Sequence, residues 1–158
     1  MEEKRKITTL VLLQEGDKIL LGLKKRGFGV GRWNGFGGKV ELGETVLEAA
    51  VREMVDECGI IVEGLEARGV IDFRFITQPG QVIEVNIFAV KGWRGEPVET
   101  GEMKPEWYSL DTIPYSQMWS DDIHWLPIFL QGEKFRGQFL FDTNDQVLEY
   151  KLEIVAEL

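Results

Sequence analysis

Hydrophobic residues gather in short runs of strand length, two of which alternate with polar residues at period two, and two further stretches read as helices. Thr8 to Gln14 is apolar and β-branched, and Glu15-Gly16-Asp17 turns it back into Lys18 to Lys24, which predicts a hairpin. Ile71 to Phe75 and Ile83 to Ile87 alternate around a Pro79-Gly80 turn and predict a second hairpin. Trp107 to Leu110 reads as a short strand, and Phe135 to Asp142 with Val147 to Val155 as a C-terminal hairpin joined at Thr143-Asn144-Asp145. Gly27, Gly29, Gly31 and Gly35 mark an irregular loop. Thr45 with Glu48 forms a capping box, and Gly59 sits where a left-handed residue stops a helix. Between them Leu47, Ala50, Val51, Met54 and Cys58 fall on one stripe, expected to face a core. Trp119 to Leu130 predicts a second helix with Ser120 as a candidate N-cap, its register disturbed by Pro127. Strands outnumber helices and hairpins dominate, so the class is α+β.

Composition narrows the class further. The 158 residues suit one domain with its own core, expected to span 1–158, and 44% hydrophobic with 28% charged residues is globular usage. The charged start, Met1-Glu2-Glu3-Lys4-Arg5-Lys6, followed by an apolar run of strand length, does not read as a signal peptide. No segment is long enough for a membrane helix. The single cysteine, Cys58, lies on the apolar stripe and reads as a core residue in a reducing compartment. Cytosol is the expected location, with mitochondrial or nuclear pools left open. A net charge of −9 argues against binding a nucleic-acid polymer, which needs clustered cations. The basic residues that cluster, Lys24-Lys25-Arg26 and Arg32, precede the acidic helix, where a triphosphate would need balancing charge.

That helix gathers acid on one edge. Glu53 and Glu57 are four apart and Asp56 is three from Glu53, a repulsion of a few tenths of a kcal/mol per pair that a divalent cation would reverse. Glu44, in the preceding loop, can reach the same place. Gly38, five residues, Glu44, seven residues, then Arg52-Glu53-Met54-Val55-Asp56-Glu57-Cys58-Gly59-Ile60 resembles the signature of the Nudix hydrolases, which cleave nucleoside diphosphates linked to another moiety. One position departs, because Asp56 stands where the family pattern has Glu.

Two more clusters extend the resemblance: Lys24 to Lys39, and Met118 to Pro127, together with Glu102-Met103-Lys104-Pro105. With them the chain is similar, nearly end to end, to the animal MutT-homologue branch of that family, which hydrolyses oxidised purine nucleoside triphosphates. Their chemistry suits a purine. Trp119, Phe28, Phe73 and Phe75 offer aromatic faces, each stacked base contributing about 1–3 kcal/mol. Asn34 carries both a donor and an acceptor. Asp121 and Asp122 are adjacent acids that, facing one pocket, would share a proton and so match an oxidised guanine or an oxidised adenine. From spacing alone, Ser120-Asp121-Asp122 reads equally well as a helix cap. Thr9 and Lys24 match family nucleotide contacts, although a strand-edge hydroxyl and a solvated lysine look the same in sequence. Phe36, Gly37, Gly38 and Lys39 complete the expected substrate-binding set with Ser120. His124, the only histidine, has no motif around it and reads as structural; there is no Walker lysine motif, CxxC or dinucleotide fingerprint.

The resemblance implies an α/β/α sandwich around a mixed sheet, and hydrolysis of 8-oxo-dGTP and 2-hydroxy-dATP to monophosphate and pyrophosphate. It implies Mg2+, with Mn2+ an alternative because Asp56 is one methylene shorter than Glu. The metal set is Glu53, Asp56 and Glu57, with the Gly37 carbonyl and Glu102 added. Arg52 orients the acids, and Glu57 is the first choice for general base, with Glu53 or Glu102 open. The expected partner is a small-molecule nucleotide, with no nucleic-acid polymer, no membrane and a monomeric chain. A methylated purine triphosphate or a dinucleoside polyphosphate remains an alternative substrate. A catalytically silent nucleotide- or RNA-binding module is the alternative class, and the complete set of acids speaks against it.

Overall fold

The computed structural model describes residues 2–158. The chain order is β1 (Lys4–Glu15), β2 (Lys18–Lys24), β3 (Trp33–Asn34), α1 (Val46–Cys58), β4 (Ile61–Phe75), β5 (Gln81–Arg94), β6 (Met103–Ser109), a 3-10 turn at Tyr115–Gln117, α2 (Asp122–Leu130), β7 (Lys134–Phe141) and β8 (Val147–Val155). The strands form one mixed sheet in the order β3-β2-β1-β5-β4-β7-β8, with β6 also paired to β2. The β1–β5 and β4–β7 pairs are parallel and the others antiparallel.

The helices lie on opposite faces, because alternation along the strands splits the core in two. Val11, Leu13 and Leu20 join Ala50, Met54 and Cys58 of α1 on one face. Leu12, Ile19 and Leu21 join Trp125, Leu126 and Phe129 of α2 on the other, with Phe135, Phe139 and Phe141. This is the α/β/α sandwich expected from the resemblance.

Helix α1 begins and ends where its local chemistry says. Thr45 Oγ1 accepts from the Glu48 N–H at 3.1 Å, the Glu48 carboxylate accepts from the Thr45 N–H at 2.9 Å, and Gly59 closes the helix at φ 76°. Its buried face is the expected one in part: Ala50, Met54 and Cys58 of the stripe face the core, and two of its residues do not. Ala49, Ala50, Met54, Glu57 and Cys58 are buried, whereas Leu47 and Val51 are 53% and 37% exposed. Glu53 and Glu57 lie against the loop at Gly37-Gly38, and Leu47 and Val51 face outward.

Helix α2 starts three residues later than expected, at Asp122, and Ser120 does not cap it. Ser120 Oγ instead accepts from the Val147 N–H at 3.0 Å and donates to the Asp145 carbonyl at 3.5 Å, tying the lead-in of α2 to the β7–β8 turn. Pro127 sits inside the helix, where it has no N–H to return to the carbonyl of Ile123 one turn back, a residue exposed to solvent. The predicted hairpins are present, but β4 and β5 are 15 and 14 residues long, far beyond the segments expected at Ile71–Phe75 and Ile83–Ile87. Register shifts at Val62/Gly64, Gly64/Leu65 and Ala67/Gly69 break the alternation over the first part of β4 and hide it from a period-two reading.

Candidate active site

Strand β1 creates the opening for the site. It pairs with β5 from Lys4 to Leu12 but with β2 only from Leu13 to Glu15. Where β1 and β2 part, the chain after β3 fills the edge, with Phe36 bridging Val11 and Lys39 bridging Thr8. Glycines let it lie that close: a Cβ on Gly35 would stand 2.8 Å from the Val11 carbonyl oxygen, and one on Gly37 would collide with the Thr9 carbonyl. Beside this seam is a cavity of about 280 Å³. Thr9, Lys24, Phe28, Asn34, Gly37, Gly38, Lys39, Phe73, Phe75, Trp119, Asp121 and Asp122 line it, and Glu57 closes one end.

At that end the Gly37 N–H donates to Glu57 Oε1 at 2.7 Å, and the side chain is otherwise buried. Burial pushes the Glu57 carboxyl up to about 7; the Gly37 N–H and Lys24 oppose the rise, and the charges of Glu53 and Glu102 reinforce it. Arg52 organises the remaining acids. It donates to Glu44 through Nε at 2.9 Å and Nη2 at 2.7 Å, to Glu53 at 2.7 Å, to Asp56 at 3.4 Å and to the Lys39 carbonyl at 3.2 Å. The Arg52 hydrogen bonds, helped by the Glu41 N–H, hold Glu44 down at about 2. Glu53 presses against the loop so closely that a Cβ on Gly38 would meet its Oε1 at 2.8 Å.

The structure therefore gathers Glu44, Arg52, Glu53 and Glu57, with Asp56 more than half exposed at the rim. Glu102 is held apart by Arg26, at 2.6 and 3.0 Å, and reaches Glu57 only through its charge. Among the described residues no three acidic, Cys or His side chains close around a single point as a preformed cage. Glu53 and Glu57 fit a hard cation, because Glu57 is a buried carboxylate with one N–H donor and no paired side-chain cation.

The opposite end is aromatic and acidic. Trp119 packs with Phe28 at 5.1 Å, Phe141 at 5.6 Å and Phe75 at 6.2 Å between centroids, and Phe73 stacks on Phe139 and Phe141. Asn34 Oδ1 accepts from the Gly35 N–H at 2.8 Å, leaving its amide nitrogen to donate. Asp121 and Asp122 are both 3% exposed. Asp121 accepts from Trp125 Nε1 at 2.7 Å, whereas Asp122 Oδ2 is buried without a partner. Burial raises both, and the Asp121 charge pushes Asp122 further up, so Asp122 holds the proton of the pair.

Several expected residues lie elsewhere. Phe36 is fully buried in the α1-side core, because the bridge to Val11 points its ring away from the cavity, and Ser120 ties loops together. Lys25 and Arg26 are paired with Glu99 and Glu102, and Arg32 lies over the Trp119 ring; of that basic cluster, Lys24 and Arg32 reach the cavity. Leu10, Ile87, Met103, Trp125 and Phe141 line the cavity without having been assigned a role; on their strands, and on α2 for Trp125, they look like ordinary core. His124 stacks on Tyr150 at 4.3 Å, outside the cavity.

The chain is similar to known proteins over most of its length. The NUDIX domain family matches residues 3–129. Over 153 residues the chain is 48% identical to the oxidized purine nucleoside triphosphate hydrolase of Danio rerio, with 97% of each chain covered. Over 150 residues it is 46% identical to the protein of that name from Mus musculus, covering 95% of this chain and 96% of that one. The crystal structure of a MutT protein from Bacillus halodurans matches at a TM-score of 0.80, with 25% identity, over 94% of this chain and 97% of that one. Fold, signature and full-length similarity agree: the chain belongs to the Nudix family.

Proposed function

We propose that this protein hydrolyses oxidised purine nucleoside triphosphates, 8-oxo-dGTP and 2-hydroxy-dATP foremost, to the monophosphate and pyrophosphate, keeping damaged precursors out of DNA. One observation carries the reading. A single cavity has an organised acid edge at one end and, at the other, a buried acid pair with an unpartnered oxygen beside aromatic rings. The near-full-length similarity to the zebrafish and mouse enzymes supports the same substrate class.

Base recognition follows from the donor and acceptor pattern. Protonated Asp122 donates, ionised Asp121 accepts, and the Asn34 amide adds a donor, so exchanging the shared proton lets one pocket fit an oxidised guanine or an oxidised adenine. Trp119 and Phe28 supply stacking. Lys24 is the cation that sees both the cavity and Glu57, placed to offset polyphosphate charge.

At the other end, Glu53 and Glu57 would hold Mg2+, with Asp56, Glu102 and the Gly37 carbonyl as additional ligands and Mn2+ as a substitute. Bound there, the cation would neutralise phosphate charge and lower the pKa of a bound water. Arg52 fixes Glu44 and Glu53, so neither must be reoriented during the reaction. Glu57, at the buried end of the cavity, is the first choice to accept a proton from the attacking water, with Glu53 or Glu102 the alternatives. None of the described helices is long and apolar enough to cross a membrane, and the one cysteine is buried and free. A monomer in the cytosol, with further pools in mitochondria or nucleus, is the setting proposed.

The test is a panel of oxidised, methylated and unmodified nucleoside triphosphates, read by pyrophosphate release with and without Mg2+. Metal-dependent pyrophosphate release fastest on the oxidised purines is expected. Equal rates on unmodified nucleotides, or two nucleotides released from a dinucleoside polyphosphate at a higher rate, would replace this reading.

A further inference from the structure

Trp119 is held by more than its aromatic neighbours, and the extra contacts come from the far end of the chain. The Arg32 guanidinium lies 4.1 Å from the centroid of the Trp119 ring, occupying one of its faces. Arg32 Nη2 in turn lies 3.6 Å from the Asp145 carboxylate at the tip of the β7–β8 turn. That tip is a built structure. Asp142 Oδ1 accepts from the Asn144 and Gln146 N–H groups, Asp145 adopts φ 59°, and its carbonyl accepts from Ser120 Oγ, beside Trp119 in sequence. The loop carrying Arg32 also hugs the indole, since a Cβ on Gly29 would stand 3.1 Å from Trp119 Nε1.

We propose that Arg32 and Asp145 are positioning residues for the base platform: the C-terminal turn anchors the guanidinium, and the guanidinium backs Trp119 so that a purine stacks on its other face. A flat cation suits this task, because it can stack on the ring while pairing with the carboxylate. The proposal rests on the reading of Trp119 as the base-stacking residue. Its consequence is that a turn outside the family signature and the cavity lining sets purine affinity without touching the nucleotide.

The test measures binding of 8-oxo-dGMP by calorimetry in EDTA, alongside kcat and KM for 8-oxo-dGTP with Mg2+. Asp145→Asn keeps a residue that tolerates the left-handed conformation, and Arg32→Gln removes the stacked charge. Each is expected to weaken the monophosphate by roughly 3- to 10-fold and to raise KM equally, with kcat within about two-fold. The double variant should be no weaker than Arg32→Gln alone. Arg32→Lys should keep a dependence on Asp145, while Arg32→Gln abolishes it. Unchanged affinity in both single variants, additive losses in the double, or a fall in kcat with KM unmoved would overturn the proposal. The activity fails separately: a wild type that binds the monophosphate but releases no pyrophosphate from any purine triphosphate sinks the function proposed above and leaves the tether intact.

Discussion

Replacing Glu57 with Gln is predicted to stabilise the metal-free protein while abolishing turnover. The side chain is 4% exposed, and burial raises its carboxyl from 4.5 to about 7. Below pH 4.5 it is protonated both folded and unfolded, and no penalty arises. Between 4.5 and 7 the unfolded chain releases the proton and the folded chain keeps it, so stability falls as pH rises. The fall is complete above 7, where a buried charge must be carried. A shift of this size corresponds to roughly 3 kcal/mol. Glutamine does not titrate, and its oxygen still accepts from the Gly37 N–H. In EDTA, Glu57→Gln should match wild type near pH 4.5 and exceed it at pH 8 by up to ~3 kcal/mol, or about 6–12 °C in Tm for a domain of this size. Urea and thermal melts at several pH values read this directly. Adding Mg2+ should raise the wild-type Tm more than the variant's, and kcat should drop by more than ~100-fold. Wild-type and variant stabilities running parallel from pH 4.5 to 8 would refute the buried-charge argument.

Three further substitutions probe the rest of the site. Trp119→Ala should raise KM for purine substrates by about 5- to 150-fold, the equivalent of 1–3 kcal/mol of stacking, in steady-state pyrophosphate assays; an unchanged KM would remove Trp119 from the base site. Asp121→Asn and Asp122→Asn should each change the ratio of kcat/KM between 8-oxo-dGTP and 2-hydroxy-dATP and flatten its pH dependence, since each removes the shared proton. Ratios and profiles identical to wild type in both would show that the pair does not read the base. Asp56→Glu should be tolerated or improve use of Mg2+ over Mn2+, because the residue is at the exposed rim and contacts Arg52 only at 3.4 Å; a severe loss of kcat would mean the site is tuned to the shorter acid.

The sequence is legible where structure is decided locally. The capping box and Gly59 bound α1, the Glu15-Gly16-Asp17 turn and the apolar run after it give β2, and the range Val147–Val155 matches β8. It is opaque where packing overrides pattern. The bulges of β4 shift the phase of its side chains, and Glu63, Glu66 and Ala67 weaken its strand character, so the first ten of its 15 residues pass unseen. Leu47 and Val51 satisfy a helical stripe but stay exposed, while Ala49 and Glu57, which lie off that stripe, are buried. The acid edge was readable because spacing on a helix is geometry. The cavity was readable only in part: Asp121, Asp122, Asn34 and Trp119 announce chemistry, while Met103, Leu10 and Phe141 resemble any core residue. Phe36 shows the converse, a residue within a functional motif that serves the core. The link from Asp145 through Arg32 to Trp119 joins residues 113 apart, a distance no local pattern spans.

The central claim is that the edge built from Arg52, Glu53 and Glu57 holds a divalent cation against a polyphosphate at one end of the base cavity. Crystals soaked with Mn2+ and a nucleotide, read by anomalous scattering at the manganese edge, test it most directly. The account predicts a peak bonded to Glu53 and Glu57, with the purine between Trp119 and the Asp121–Asp122 pair. A nucleotide bound there with no cation on either carboxylate would contradict it.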